Sequence, residues 1–165
     1  MPTNTAKNRT REVVLILHDI RSAYNVGSIF RTADGAGVAK IFCAGYTPAP
    51  KNVFGKIQND IRKTALGAEE TVPWETRKNT PTLIRRLQKD GYQVIAIEQD
   101  PKAVPYTKVT ISKKVAFVLG NETGGISKSI LKLVDGIAEI PMKGSKESLN
   151  VSVAAGVALF RMLGC

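Results

Sequence analysis

The chain has 165 residues, 43% of them hydrophobic and 23% charged, which is enough to bury a core without disulfide or metal staples. Lys and Arg number 24 against 14 Asp and Glu, and the resulting net charge of +10 points to a polyanionic partner, with phosphates first. The opening MPTNTAKNRTRE has no apolar secretory segment and no apolar run reaches the length of a membrane span. Cys43, Cys165 and the single His18 have neither disulfide-framework nor metal-ligand spacing. The expectation is a cytoplasmic protein with no membrane and no metal.

In chain order, short apolar runs rich in Val and Ile recur at VVLIL (13–17), KIFCAG (40–45), YQVIAI (92–97), VAFVL (115–119) and GIAEI (136–140), each reading as a buried strand. Helical patterns lie between them. Val26, Ile29, Phe30 and Ala33 repeat at helical spacing until Gly35 and Gly37. Ile57, Ile61 and Ala65 suit a short helix. Thr80-Pro81 opens a segment striped by Leu83, Ile84 and Leu87 and closed by Gly91. Trp74 belongs to a strand or loop and reads as packing. From Leu149 to Leu163 a stripe of Leu149, Val153, Val157 and Phe160 lies beside slim Ala154, Ala155, Gly156 and Ala158, a face suited to close packing on the sheet or on a second subunit. The pattern predicts an α/β fold, a mostly parallel sheet covered by helices, with residues 1–12 a basic tail and 13–165 one domain.

Three polar, glycine-bearing stretches follow strands. In NVGSIFRTADGAG (25–37), Asn25 is placed to cap the helix, Gly27 leaves room at its first turn, and Arg31 falls on the polar side, from which it can reach an anion at the carboxyl edge of the sheet or pair with Asp34. LGNETGGIS (119–127) is neither a Walker loop nor a dinucleotide fingerprint. Its glycines allow close approach of a ligand, Ser127 can cap the next helix, and Glu122 is either a site carboxylate or a helix-end one. In IPMKGSKESLNVSVAAG (140–156), Ser148 reads as an N-cap and Asn150 as a partner for local backbone.

Together, NVGSIFRTAD (25–34), VLGNETGGIS (118–127) and IPMKGSKESLNVSVA (140–154), in this order, resemble the SpoU (TrmH-type) family of RNA 2'-O-ribose methyltransferases in the SPOUT superfamily. The resemblance implies S-adenosylmethionine as methyl donor, a homodimer and a C-terminal trefoil knot. It makes Arg31 the catalytic arginine and places Asn25, Glu122, Ser148 and Asn150 at the reacting centre. Leu119, Gly120, Asn121 and Gly124 become one wall of a cofactor pocket that Ile140, Met142 and Leu149 complete.

The implied role of Arg31 has two versions: a neutral guanidine acting as base, or a cation that stabilises the developing oxyanion and grips the adjacent phosphate. With about a dozen residues before the first strand, the expectation is that no separate N-terminal RNA-binding domain is present. Recognition then falls to the core surface, to Lys7, Arg9 and Arg11, and to Lys51, Lys56, Arg62, Lys63, Lys143 and Lys146. Transfer RNA and ribosomal RNA both fit as substrate, with transfer RNA the first expectation. The competing readings are a catalytically inactive RNA-binding or ribosome-assembly protein of the same fold, and an α/β enzyme for a small anionic substrate.

Overall fold

The structure, a computed structural model, describes residues 11–165, so Lys7 and Arg9 lie outside the described residues. Strand β1 (Glu12–His18) leads to helix α1 (Ala23–Ala36) and β2 (Lys40–Ala44). Helices α2 (Asn59–Ala65) and α3 (Ala68–Thr71) precede β3 (Trp74–Arg77), and α4 (Thr80–Lys89) precedes β4 (Gln93–Ile97). Then come β5 (Val104–Pro105), β6 (Lys114–Leu119), α5 (Lys128–Leu131), β7 (Gly136–Glu139) and α6 (Val151–Leu163). The five strands expected from apolar runs are present. The edge strand β3, which contains Trp74, and the two-residue β5 join them in a seven-stranded sheet ordered β3-β2-β1-β6-β4-β7-β5, and every pairing is parallel.

Side chains of a strand alternate between faces, and β1 uses both. Val13, Leu15 and Leu17 join the core formed with Ile29 and Phe30 of α1 and with Ala155, Leu159 and Leu163 of α6. Val14 and Ile16 join the opposite core, with Leu83, Ile84 and Leu87 of α4 and Ile126 and Ile130 near α5. Helices therefore cover both faces, as a continuously apolar parallel strand requires. Leu15 and Ile16 are both fully buried, and cutting either to Ala costs about 2–5 kcal/mol.

The helix caps differ from the sequence expectation in an instructive way. Ser22, not Asn25, caps α1, its Oγ accepting from the Asn25 N–H at 3.2 Å. Asn25 sits inside the first turn, so its side chain is released for another partner. Gly27 is required by packing: a Cβ there would lie 2.0 Å from Thr64 Oγ1 and 2.3 Å from the Ile61 carbonyl oxygen of α2. Asn150, not Ser148, caps α6, its Oδ1 accepting from the Ser152 N–H at 2.9 Å. Asp34 accepts from the Thr71 hydroxyl at 3.0 Å, and no ion pair to Arg31 forms.

Helix α6 settles the choice between its two faces. Ala155, Ala158, Leu159 and Leu163 are buried, whereas Val153 is 49% and Phe160 40% exposed. The slim face packs inward, where Gly156 approaches Thr32 of α1, and the larger apolar stripe is turned outward. His18 is held by structure: its Nδ1 lies 2.7 Å from Thr80 Oγ1 and its Nε2 3.3 Å from Asp19 Oδ2. Burial lowers its pKa, against the opposing pull of the Asp19 carboxylate. Among the described residues no helix is long and apolar enough to cross a membrane, and no group of three His, Cys, Asp or Glu is placed to hold a metal.

Candidate active site

β1 and β6 are neighbours in the sheet, but the chain leaves them toward opposite faces, α1 on one side and α5 on the other. Such a reversal opens a crevice at the carboxyl ends of the strands, where open α/β sheets bind ligands. The loops after β1 and β6 meet there. Glu122 Oε1 accepts from the Ser22 N–H and from Asn25 Nδ2, both at 3.2 Å, and Oε2 accepts from the Arg21 N–H at 3.2 Å. The carboxylate thus covers the start of the 14-residue helix α1, where free N–H groups and the helix dipole favour an anion. Burial works to raise its pKa. Hydrogen bonds from the backbone, Asn25, Arg21 and Ser22 outweigh that and hold it below the usual glutamate value.

The third motif joins the same chain of contacts. Asn150 Nδ2 donates to Asn25 Oδ1 at 3.3 Å, so Glu122, Asn25 and Asn150, one residue from each motif, form a continuous line. Asn121 braces the second motif. Its Oδ1 accepts from the Thr123 and Gly124 N–H groups at 2.8 and 2.9 Å, while its Nδ2 donates to the Asp19 carbonyl at 2.8 Å.

Beside this line opens a cavity of about 470 Å³, inside the roughly 300–1,000 Å³ range of small-ligand sites. Every expected cofactor-wall residue lines it: Leu119, Gly120, Asn121, Gly124, Ile140, Met142 and Leu149, with Glu122, Ser148 and Asn150 at the same cavity. Gly120 cannot carry a side chain, because a Cβ would meet Ile126 Cγ1 at 2.5 Å and the Gly125 backbone at 2.9 Å. Ser127 begins α5 without capping it and bonds to the Ser129 hydroxyl instead.

Several lining residues escaped the sequence reading, among them Glu98, Gln99 and Asp100 after β4, Lys128 and Leu131 of α5, and Glu147. Glu98 Oε2 accepts from the Ile126 N–H at 3.0 Å, and Gln99 Nε2 donates to the Glu147 carbonyl at 2.5 Å, tying the 140–150 loop to β4. For Glu98, Gln99 and Asp100 the available signal was their position, directly after a buried strand at the ligand-binding edge of the sheet.

The lining carries four carboxylates, Glu98, Asp100, Glu122 and Glu147, against one cation, Lys128. In a chain of net charge +10 this is a local reversal of sign, and it suits a positively charged small molecule with an apolar body. Such a cavity does not suit a polyanion, which the basic exterior attracts instead.

Arg31 stands apart. Six residues beyond Asn25, it lies about 9 Å further along the helix axis and is exposed in a separate depression with Ser28, Thr32, Gly35, Thr64 and Phe160. The chain therefore assembles Asn25, Glu122, Ser148 and Asn150 by itself, while Arg31 faces outward beside Phe160 of α6.

The architecture and the sequence have close counterparts. The chain is 35% identical over 150 residues to the 23S rRNA (guanosine-2'-O-)-methyltransferase RlmB of Xanthomonas axonopodis pv. citri, covering 91% of this chain and 57% of the relative. It superposes on the AdoMet-bound rRNA methyltransferase of Sinorhizobium meliloti with a TM-score of 0.84 at 29% identity, over 96% of this chain and 58% of that one. The A. aeolicus TrmH/SpoU tRNA modifying enzyme gives a TM-score of 0.81 at 26% identity, over 96% and 77%. The chain thus spans less than two thirds of the curated relative it matches. The profile of the SpoU rRNA Methylase family runs from residue 12 to residue 160 and takes in all three motif loops and the sheet that gathers them, so the chain belongs to that family.

Proposed function

We propose that the protein is an S-adenosylmethionine-dependent RNA 2'-O-methyltransferase acting on ribosomal RNA. The observation that carries this is the Glu122–Asn25–Asn150 line at the mouth of an acid-lined 470 Å³ cavity. The activity of the 35% identical relative, a 23S rRNA methyltransferase, favours ribosomal RNA over transfer RNA, the first sequence expectation. The same reading puts the protein in the cytoplasm, alongside that RNA, and carries with it the C-terminal trefoil knot of the family.

S-adenosylmethionine, when bound, supplies a methyl group on a cationic sulfonium. Gly120 and Gly124 let it approach the backbone, Ile140, Met142 and Leu149 cover its apolar parts, and the carboxylates of the cavity favour its positive charge. Asn121 holds the loop that forms the near wall. The nucleophile is a ribose hydroxyl whose pKa lies far above neutrality, and each unit to be overcome costs about 1.4 kcal/mol. Ser148 and the amides of Asn25 and Asn150 orient that hydroxyl, while anionic Glu122 fixes the orientation of Asn25. Arg31 acts as a cation: its planar donors suit both the developing oxyanion and the neighbouring phosphate, and the hydroxyl proton leaves to solvent water.

A homodimer completes the site. Arg31 shares a depression with Phe160, which with Val153 is exposed on α6; pairing two copies through this helix would bury the stripe and bring the arginine of one copy toward the site of the other.

The test is transfer of tritiated methyl from S-adenosylmethionine to protein-free 23S rRNA and to total tRNA, with Arg31→Ala as control. Alkali-resistant label in rRNA that vanishes in the variant supports the reading. No transfer together with no cofactor binding by calorimetry overturns it, and cofactor binding without transfer to either RNA overturns the assigned substrate.

A further inference from the structure

The connection between β2 and α2, residues 45–58, holds two large apolar side chains in solvent: Val53 is 93% and Phe54 91% exposed. Folding gives no reason to keep them there, yet the loop is built to do so. Lys51 and Ile57 pair across an antiparallel bridge, and the Asn52 N–H donates to the Lys56 carbonyl at 3.0 Å. Asn52 Oδ1 accepts from the N–H groups of Phe54 at 2.9 Å and Lys56 at 3.0 Å, and Gly55 turns the chain at φ 77°. Pro48 and Pro50 restrict the entry. The result is a braced tip with an aromatic ring at its end.

The surroundings of the tip select its partner. Lys51 and Lys56 flank it, Arg62 and Lys63 follow on α2, and no carboxylate occurs between Tyr46 and Asn59. Cations interleaved with an exposed aromatic ring match single-stranded nucleic acid, where phosphates meet lysines and an unpaired base meets the ring. The loop also begins at the active-site edge of the sheet: the Tyr46 hydroxyl lies 3.3 Å from Asn121 Nδ2, and the Arg21 guanidinium lies 5.9 Å from the Tyr46 ring centre.

We propose that Phe54 is a stacking finger for the substrate RNA: an unpaired base flanking the target nucleotide stacks on its ring while Lys51 and Lys56 hold the adjoining phosphates. This deepens the function proposed above and rests on it for the identity of the RNA.

The experiment compares wild type with Phe54→Ala, Phe54→Leu, Phe54→Trp and Lys56→Ala for binding to protein-free 23S rRNA and to a short fluorescein-labelled oligouridylate across a salt series. Phe54→Ala and Phe54→Leu are expected to lose about tenfold in affinity, the scale of one base–aromatic stack, with the salt slope unchanged, and Phe54→Trp to retain it. Lys56→Ala should lower the salt slope by about 0.7. Full affinity in Phe54→Ala, or in Phe54→Leu, overturns the proposal. So does a change of sedimentation coefficient in Phe54→Ala, which would assign the tip to contact between copies of the chain. Wild type that binds RNA through Phe54 but binds no S-adenosylmethionine sinks the methyltransferase reading and leaves the finger standing. Wild type that methylates RNA with kinetics identical to Phe54→Ala does the reverse.

Discussion

Asn25 and Asn150 stand 125 positions apart in the chain and touch side chain to side chain, Asn150 Nδ2 donating to Asn25 Oδ1 at 3.3 Å. Neither amide can flip without loss. Glu122, ionised, only accepts, so Asn25 must turn its NH2 toward it and its oxygen toward Asn150. Asn150 in turn must keep its own oxygen on the Ser152 N–H to cap α6. A carboxylate at one end and a helix start at the other therefore fix the polarity of the whole line.

Substituting Asn25 tests that polarity. Asn25→Ala removes one donor to an ionised acceptor and is expected to cost about 1 kcal/mol of stability. Asn25→Asp is nearly the same shape but sets a second carboxylate against Glu122, so it should be the more damaging change. Urea unfolding midpoints and the methyl-transfer assay check both, and equal effects of the two variants would show that charge at this position is irrelevant.

Glu122 predicts a pH dependence. Its folded pKa lies below the ordinary glutamate value, so the folded state favours the ionised form. Its contribution to stability is therefore complete above the unfolded pKa, near 4.3, and is lost as pH falls through the lower folded value. The stability gap between wild type and Glu122→Gln should be widest at neutral pH, narrow below about pH 4.3 and close in stronger acid. Denaturant titrations of both proteins at stepped pH measure it, and a gap that does not change with pH would count against the hydrogen-bonded carboxylate.

The glycines of the second motif make a sharper claim. Gly125 combines φ 63° with a Cβ position 2.5 Å from Glu98 Oε2, and Gly120 is blocked by Ile126 and the Gly125 backbone. Alanine at 125 should cost about 1–2 kcal/mol in backbone strain. Either alanine should also lower S-adenosylmethionine affinity at least tenfold by displacing the cavity wall. Gly144→Ala, with nothing within 4 Å of its Cβ position, is the control. Calorimetric affinity that survives Gly120→Ala would remove this loop from the cofactor site.

Arg31 and Phe160 separate binding from turnover. Because Arg31 lies outside the cavity, Arg31→Ala should bind the cofactor as wild type does and lose at least a hundredfold in transfer, the scale of one removed oxyanion donor. Phe160→Glu should shift sedimentation from dimer to monomer and lose transfer with it. A monomeric wild type would overturn the role given to the stripe of α6.

The sequence by itself determined five of the seven strands, the principal helices and the parallel class of the sheet, because buried strands must be apolar throughout and packed helices must repeat at 3.6 residues. It also carried the three glycine-bearing motifs whose order resembles the SpoU family, although the packing that requires Gly27 and Gly120 shows only in the fold. What it left undecided are matters of distance. Helical spacing marks an apolar stripe on α6 but does not say whether the stripe or the slim face meets the sheet; only the close approach of α1, with Gly156 against Thr32, sends Val153 and Phe160 outward. A cap depends on where the chain turns, so Ser22 rather than Asn25 caps α1, and Asn25 becomes the link between Glu122 and Asn150. Glu98, Asp100 and Glu147 are ordinary surface acids in sequence. The fold brings the ends of β4, β6 and β7 together and makes them the lining of an acidic cavity in a basic protein.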